Sequence, residues 1–338
     1  MKQVFTKWII SSISLMGTAV LVAGCGTVGS AGTNTNTTVA ANSTASTNST
    51  STTGSAQNNV QNTSYPLTIT DEAGNKVTIP KQPKHIASTT EGTDEILSAL
   101  VPKKDVAMVT TYATNPAYSN IVAWAKGIPA IQNATAEQVI AVHPDLVLAA
   151  SYTTKGVVSQ IEQTGTPVFE FTNFNSIASI EQNIQLVGKL VGEQPKADQL
   201  VAQMNQKLSS IEKAVQGQKK VTVLDYSSYG FAAGTGTTVN DVIVDGGGIN
   251  AAAKLQGWQK ISTEEIVKMN PQVIIDASDD TGFIQKILTN PALQTVSAVK
   301  NHRVYSINSA DLTTVSQYVV NGVRDVAKVL YPGVHFNS

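Results

Sequence analysis

Two stretches of this chain are copies of one another, and that constrains the fold more than any other feature. Thr135–Ser151 (TAEQVIAVHPDLVLAAS) aligns without a gap to Ser262–Ser278 (STEEIVKMNPQVIIDAS), at a constant offset of 127 residues. Each copy opens with apolar residues at helical spacing, turns at a proline, and closes on a short apolar run of strand character. A helix-turn-strand unit used twice this far apart implies two similar lobes, each with its own sheet. Each copy also begins with a capping-box pattern, Thr135 with Gln138 and Ser262 with Glu265, in which the fourth residue reaches back to the cap. Glu137 and Glu264 are then spare. They project from the first helical turn at equivalent places on the two lobes, where they either complement the helix dipole or meet a partner.

The rest of the folded chain follows the same alternation. Leu67–Thr70 and Lys76–Ile79 flank a polar turn and predict a hairpin. Val106–Val109, Leu146–Ala149, Val168–Phe171, Val221–Leu224, Val273–Ile275 and Val304–Ile307 read as buried strands separated by helical stretches. That order gives parallel sheets covered by helices. From Ser176 to Val215 the pattern becomes one long helical stretch, interrupted near Gly192 and Pro195, with Leu200, Met204, Leu208, Ile211 and Val215 on one face. Its second part, about 20 residues at 1.5 Å rise, spans roughly 30 Å, enough for a strut between lobes. The expected fold is α/β: two Rossmann-like lobes with mainly parallel sheets joined by one long α-helix. The expected division is a signal peptide at 1–24, a lipidated Cys and linker at 25–64, an N-terminal lobe at 65–192, the interlobe helix at 193–216 and a C-terminal lobe at 217–338.

The N-terminus reads as an address and a tether. Lys2 and Lys7 precede an uncharged stretch ending in Val22-Ala23-Gly24-Cys25, and no charged residue occurs between Lys7 and Asp71. The pattern is that of a secretory signal. From Thr27 to Ser64, 25 of 38 residues are Ser, Thr or Asn, too little apolar surface to offset ordering entropy. A random coil of that length reaches roughly 35 Å. Net charge is -1 with no basic run, which argues against nucleic acid as a partner. The single Cys excludes a disulfide framework and a Cys-based zinc site.

The segment ending at Cys25 resembles the lipobox of bacterial lipoproteins, which implies diacylation of Cys25 after cleavage. Two chains on one residue give stable anchoring to a membrane. The Ile69–Ser88 stretch, the Glu137–Ser151 unit and Asn301-His302-Arg303-Val304-Tyr305 together resemble the solute-binding lipoproteins of metal-chelate ABC importers, the iron-siderophore, haem and cobalamin binders. The resemblance runs from Tyr65 to Pro332, with one departure at His85, where the family usually has Arg. It implies the helical-backbone fold, a monomer that captures a chelate between its lobes, and an ABC permease dimer with ATPase subunits as partner. Glu137 and Glu264 match the family's two permease-docking glutamates.

A ligand site also follows from topology, because ligands of open parallel sheets bind beyond the carboxyl ends of the strands. Tyr112, Tyr152, Phe171, Phe174, Tyr226 and Tyr229 lie at such ends. Tyr112, Tyr152, Tyr229 and Trp258 are the best candidates, since they neighbour Thr, Ser or Gly rather than apolar periodicity. By the resemblance, Trp258 falls where cobalamin-binding relatives present an aromatic ring, and Asp311 matches a polar contact in the same relatives. No Arg follows Asp311 before Arg324, and only Lys155, Lys254 and Lys260 lie near strand ends. A neutral ferric siderophore or cobalamin is therefore expected over a strongly anionic chelate, with haem or ferric citrate as the alternative.

Other functions fit less well. His85, His143, His302 and His335 avoid the strand exits, so a site for bare metal is not expected. No G-x-S-x-G, H-E-x-x-H or P-loop pattern occurs, so neither an enzyme nor a resident cofactor is expected. A surface adhesin would explain the leash but not the paired glutamates.

Overall fold

The computed structural model describes residues 63–336. The expectations for the signal peptide, Cys25 and the tether up to residue 62 lie outside the described residues. The first hairpin pairs β1 (Leu67–Thr70) antiparallel with β2 (Lys76–Ile79), Leu67 opposite Ile79. Asp71 closes its turn by accepting the Asn75 amide at 2.6 Å.

A five-stranded sheet follows, built from β3 (Ile86–Ser88), β4 (Val106–Thr110), β5 (Ala130–Ile131), β6 (Leu146–Ala150) and β7 (Val168–Phe171). Its spatial order is β5-β4-β3-β6-β7, and every pairing is parallel. The second half of the chain supplies β8 (Thr222–Asp225), β9 (Phe231–Ala233), β10 (Ile249–Asn250), β11 (Trp258–Lys260), β12 (Val273–Ala277) and β13 (Val304–Ile307). Four of these form a parallel sheet in the order β10-β8-β12-β13, while β9 and β11 pair antiparallel as a separate ribbon. All six strands expected from apolar runs are present. The two-residue strands β5 and β10 and the ribbon are too short to carry a period of their own.

The duplicated unit is visible in atomic detail. Both capping boxes form, Thr135 with Gln138 and Ser262 with Glu265. Each helix then ends in a left-handed residue before its proline, His143 at φ 48° and Asn270 at φ 46°. One residue past the proline, a side chain ties its strand to the neighbour. Asp145 accepts the Lys84 and His85 amides ahead of β3, and Gln272 Oε1 accepts the Thr222 amide at the start of β8.

Between the sheets run the Ile177–Val191 and Gln194–Val215 helices. Gly192 ends the first at φ 75°, and Pro195 sits in the first turn of the second, where its missing N–H costs nothing. The two helices cross so closely at Gly188 that a Cβ there would lie 2.3 Å from the Ala197 Cβ. The Gln194–Val215 helix packs on the Ile177–Val191 and Glu91–Leu100 helices of the first half and on the Thr238–Asp245 and Val319–Leu330 helices of the second. Its buried residues are Ala197, Val201, Met204 and Ile211, with Leu200, Leu208 and Val215 half-buried. One apolar core runs from Leu146 and Leu148 through Val187 and Met204 to Val273, Ile275 and Val323. The opposite faces of the two sheets form separate cores around Val147 and Ile274, as strand alternation requires.

Candidate ligand cleft and docking face

Sheet order fixes where a ligand can enter. From β3 the chain moves outward through β4 to β5, then returns to the other side of β3 to build β6 and β7. The connections leaving β3 and β6 therefore diverge, which opens a crevice at their carboxyl ends. In the second sheet the same reversal falls between β8 and β12. The residues emerging at the four strand ends are Ser88–Glu91, Ser151–Tyr152, Tyr226–Tyr229 and Ser278–Asp280. Tyr152 and Asp279, 127 residues apart, occupy the same place in the two copies.

The first crevice is floored by carboxyl groups on the Glu91–Leu100 helix. Asp94 is fully buried, and its Oδ2 accepts the Thr110 amide at 3.0 Å and hydroxyl at 2.6 Å. Burial nevertheless pushes its carboxyl up to about 7. Glu95 is buried too; its Oε2 accepts the Thr314 hydroxyl at 2.6 Å and the Ser316 hydroxyl, and its Oε1 accepts the Asn120 amide at 2.8 Å. These bonds join the first lobe's helix to the segment before the Val319–Leu330 helix, and Gly92 lets the two approach. A Cβ at Gly92 would meet Val315 Cγ2 at 2.6 Å. Glu91, the first residue of the same helix, keeps Oε1 buried with no hydrogen-bond partner. Burial raises its carboxyl well above the usual range, and the charges of Glu95 and Asp94 add to this.

The second crevice mirrors this acidity. Burial pushes Asp225 up to about 7 and Asp276 up to about 8, the latter helped by the charges of Asp280 and Asp225. Asp280 Oδ2 accepts the Ser228 amide at 2.7 Å, and Asp279 Oδ1 accepts the Ser309 hydroxyl at 2.7 Å.

Aromatic rings bring the two crevices together. Tyr112, in the turn after β4, meets Tyr118 edge-on at 5.5 Å. Tyr118 reaches across to Asp279; burial first, then that carboxylate, pushes its hydroxyl up to about 12, and Tyr112 and Tyr229 also act on it. Tyr152 and Tyr229 each keep about a third of their surface open, 36% and 37%. The Tyr152 hydroxyl is nonetheless enclosed, and burial, with the charges of Asp94 and Glu91, raises it above the ordinary phenol range against the lowering effect of its bond to Thr90.

Tyr112, Tyr152 and Tyr229 thus stand around one space, with Tyr118 between them. Trp258 and Asp311 are placed differently. Trp258 lies on β11 opposite Ala233 and packs half-buried against the main core. Asp311 is buried, with its oxygens taken by Asn308 Nδ2 at 2.6 Å and Asn321 Nδ2 at 3.0 Å. It therefore joins the Ser309–Leu312 helix to the Val319–Leu330 helix instead of presenting its carboxylate to the cleft. Tyr118, Glu91 and Asp279 stand by the same strand ends, with Asp94 buried beneath them, and motif reading missed all four. The sequence signal for Asp279 was its register with Tyr152 in the duplication.

Elsewhere on the surface, Glu137 and Glu264 are fully exposed in the first turns of their helices. In each, its own backbone N–H and then the cap hydroxyl, of Thr135 or Ser262, hold the carboxyl below the usual range. Two ionised glutamates in matching settings, one per lobe, make a symmetric pair of anionic contacts. Lys260 stands 5.9 Å from the Phe231 ring centre. His85 Nδ1 lies 3.0 Å from the His143 carbonyl. Among the described residues no group of three or more His, Cys, Asp or Glu is placed to hold a metal ion.

Comparison with known proteins agrees with this architecture. The profile of a family described as "Periplasmic binding protein" matches residues 86–310. The uncharacterized ABC transporter substrate-binding lipoprotein YvrC of Bacillus subtilis is 29% identical over 277 residues, covering 79% of this chain and 86% of that protein. A cobalamin-binding protein of Halobacterium salinarum is 23% identical over 278 residues, covering 79% and 75%. A possible iron-binding, periplasmic solute-binding protein from Staphylococcus epidermidis shares the fold, with a TM-score of 0.66 at 23% identity over 74% of this chain and all of that one. The chain belongs to the periplasmic binding protein family and is a substrate-binding protein of the ABC-importer kind.

Proposed function

We propose that this protein is a lipid-anchored, extracytoplasmic receptor that captures a metal chelate, a ferric siderophore or cobalamin, and delivers it to an ABC permease dimer driven by ATPase subunits. The observation that carries the reading is the pairing of a cleft at two topological switch points with two equivalent exposed glutamates. The cleft offers aromatic faces at Tyr112, Tyr118, Tyr152 and Tyr229, suited to a large, partly apolar ligand. Tyr118 and Asp279 meet across the space, so a ligand enters by parting the lobes there. Glu137 and Glu264 would each face a cationic side chain on one half of the permease, which fixes orientation more than it adds affinity.

Diacylation at Cys25 and the Ser/Thr/Asn tether would keep the receptor within reach of that permease. The name of the Bacillus subtilis relative, a lipoprotein, supports the anchor, and that of the Halobacterium salinarum relative supports cobalamin as a ligand. The test is the double variant Glu137→Ala/Glu264→Ala assayed for uptake of radiolabelled cobalamin or ferric hydroxamate in cells, alongside binding by the purified variant. Uptake should be abolished with binding intact; loss of binding, or unchanged uptake, would remove the docking role.

A further inference from the structure

Seven carboxyl groups gather at the two switch points: Glu91, Asp94 and Glu95 in the first lobe, and Asp225, Asp276, Asp279 and Asp280 in the second. None of them belongs to the ion pairs found among the described residues, which join Lys84 to Asp105, Lys196 to Glu193 and Lys328 to Asp325. Hydroxyls and backbone amides satisfy Glu95 and part of Asp94, Asp279 and Asp280. Four oxygens stay buried without a partner: Glu91 Oε1, Asp94 Oδ1, Asp225 Oδ2 and Asp276 Oδ2. A buried acceptor left unmade is costly, and each such atom in a native fold calls for an explanation, of which a donor brought by a ligand is one.

Glu91 differs from the other three in position. Asp94, Asp225 and Asp276 are nearly inaccessible, at 0%, 5% and 2% exposure. Glu91 is only half-buried as a residue and begins the helix that leaves β3, beside the partly open Tyr152. Its carboxyl bonds to Ser119 and acts electrostatically on the Tyr152 and Tyr318 hydroxyls, so three segments around the crevice lie near it. Ser119 bonds to the carboxyl, which leaves Oε1 as the free acceptor.

We propose that Glu91 is the polar anchor of the bound chelate. Its Oε1 accepts a hydrogen bond from an N–H group on the ligand, so the cleft selects chelates whose periphery carries amide or ammonium donors over those bearing carboxylates or phenolates. The inference rests on the reading that the cleft takes a chelate. Burial keeps the proton on Glu91 while the cleft is empty; a ligand ammonium favours its loss and pairs with the resulting carboxylate, whereas a ligand carboxylate offers Oε1 no donor.

The test is calorimetric titration of the purified protein at neutral pH and moderate salt with two matched pairs. One pair is an amide-bearing corrinoid and the same ring with its amides hydrolysed to carboxylates. The other is a ferric trihydroxamate with a terminal ammonium and its N-acetylated form. In whichever pair binds, the protein should prefer the donor-rich member, and Glu91→Ala should weaken that member about 10-fold or more while melting like wild type. Glu91→Gln separates the two sources. It keeps a neutral acceptor and so retains the corrinoid amide, but it loses the ammonium. Chelate binding that Glu91→Ala leaves within about twofold overturns the anchor alone. Failure of all four probes overturns both the anchor and the reading of the ligand as a ferric siderophore or cobalamin.

Discussion

Asp94 makes the protein's stability depend on pH in a direction opposite to that of most carboxylates. It is fully buried and its carboxyl is pushed from 3.8 up to about 7, with burial as the leading cause. Between those two values the folded state holds the proton and the unfolded state has lost it. Stability therefore falls as pH rises through that window, and levels off above it. A shift of this size, at 1.36 kcal/mol per unit, corresponds to about 4 kcal/mol at most, and relaxation around the charge leaves about 2–4 kcal/mol. Asp94→Asn removes the titration and keeps an oxygen for the Thr110 amide and hydroxyl. Its new N–H₂ group takes the place of Oδ1 beside the Ser88 hydroxyl, whose oxygen can accept from it. For a chain of this size the gain is about 3–7 °C in melting temperature at pH 8. The assay is thermal unfolding of wild type and variant at pH 5 and pH 8. Wild type should lose stability across that interval by more than the variant does, and the variant should melt higher at pH 8. Equal melting temperatures at pH 8, or a variant less stable there, would refute the reasoning.

Two close approaches set the geometry of the lobes, and each can be tested by adding a side chain. Gly188→Val would force the crossing helices apart at Ala197, at a cost of about 1–3 kcal/mol, visible as a lower urea midpoint. Gly92→Val would push Val315 off the Glu91–Leu100 helix; melting should fall by a similar amount, and the Glu95 seat on Thr314 and Ser316 should loosen, read as faster amide exchange around residues 314–318.

Much of this architecture was legible in the sequence because it is local. Apolar runs located the main strands, and the duplicated unit revealed both capping boxes and the equivalence of Glu137 and Glu264. The cleft was legible only in part. That Tyr112, Tyr152 and Tyr229 lie near one another was legible because each follows a recognisable strand, and their Thr, Ser or Gly neighbours set them apart from the core rings. Glu91 and Tyr118 could not, since their importance depends on the order of strands in the sheet and on contacts across more than a hundred residues, neither of which leaves a periodicity. Asp311 shows the converse. Its match to a polar contact of cobalamin-binding relatives suggested the cleft, yet Asn308 and Asn321 take its oxygens inside the fold. Trp258 was picked by its neighbours and the same resemblance, and it packs half-buried against the main core.

The continuous core through the Gln194–Val215 helix implies that the lobes part modestly on ligand entry, as packed elements that rock rather than swing on a loose hinge. The most direct test of capture between such lobes is titration of the purified protein with cobalamin and with a ferric trihydroxamate, followed by calorimetry and small-angle scattering on the same samples. The account predicts one-to-one, submicromolar binding of at least one of them, with little change in radius of gyration. No heat from either ligand, nor from haem or ferric citrate, would contradict capture of a chelate, and a large change in radius would contradict the shared core as the joint.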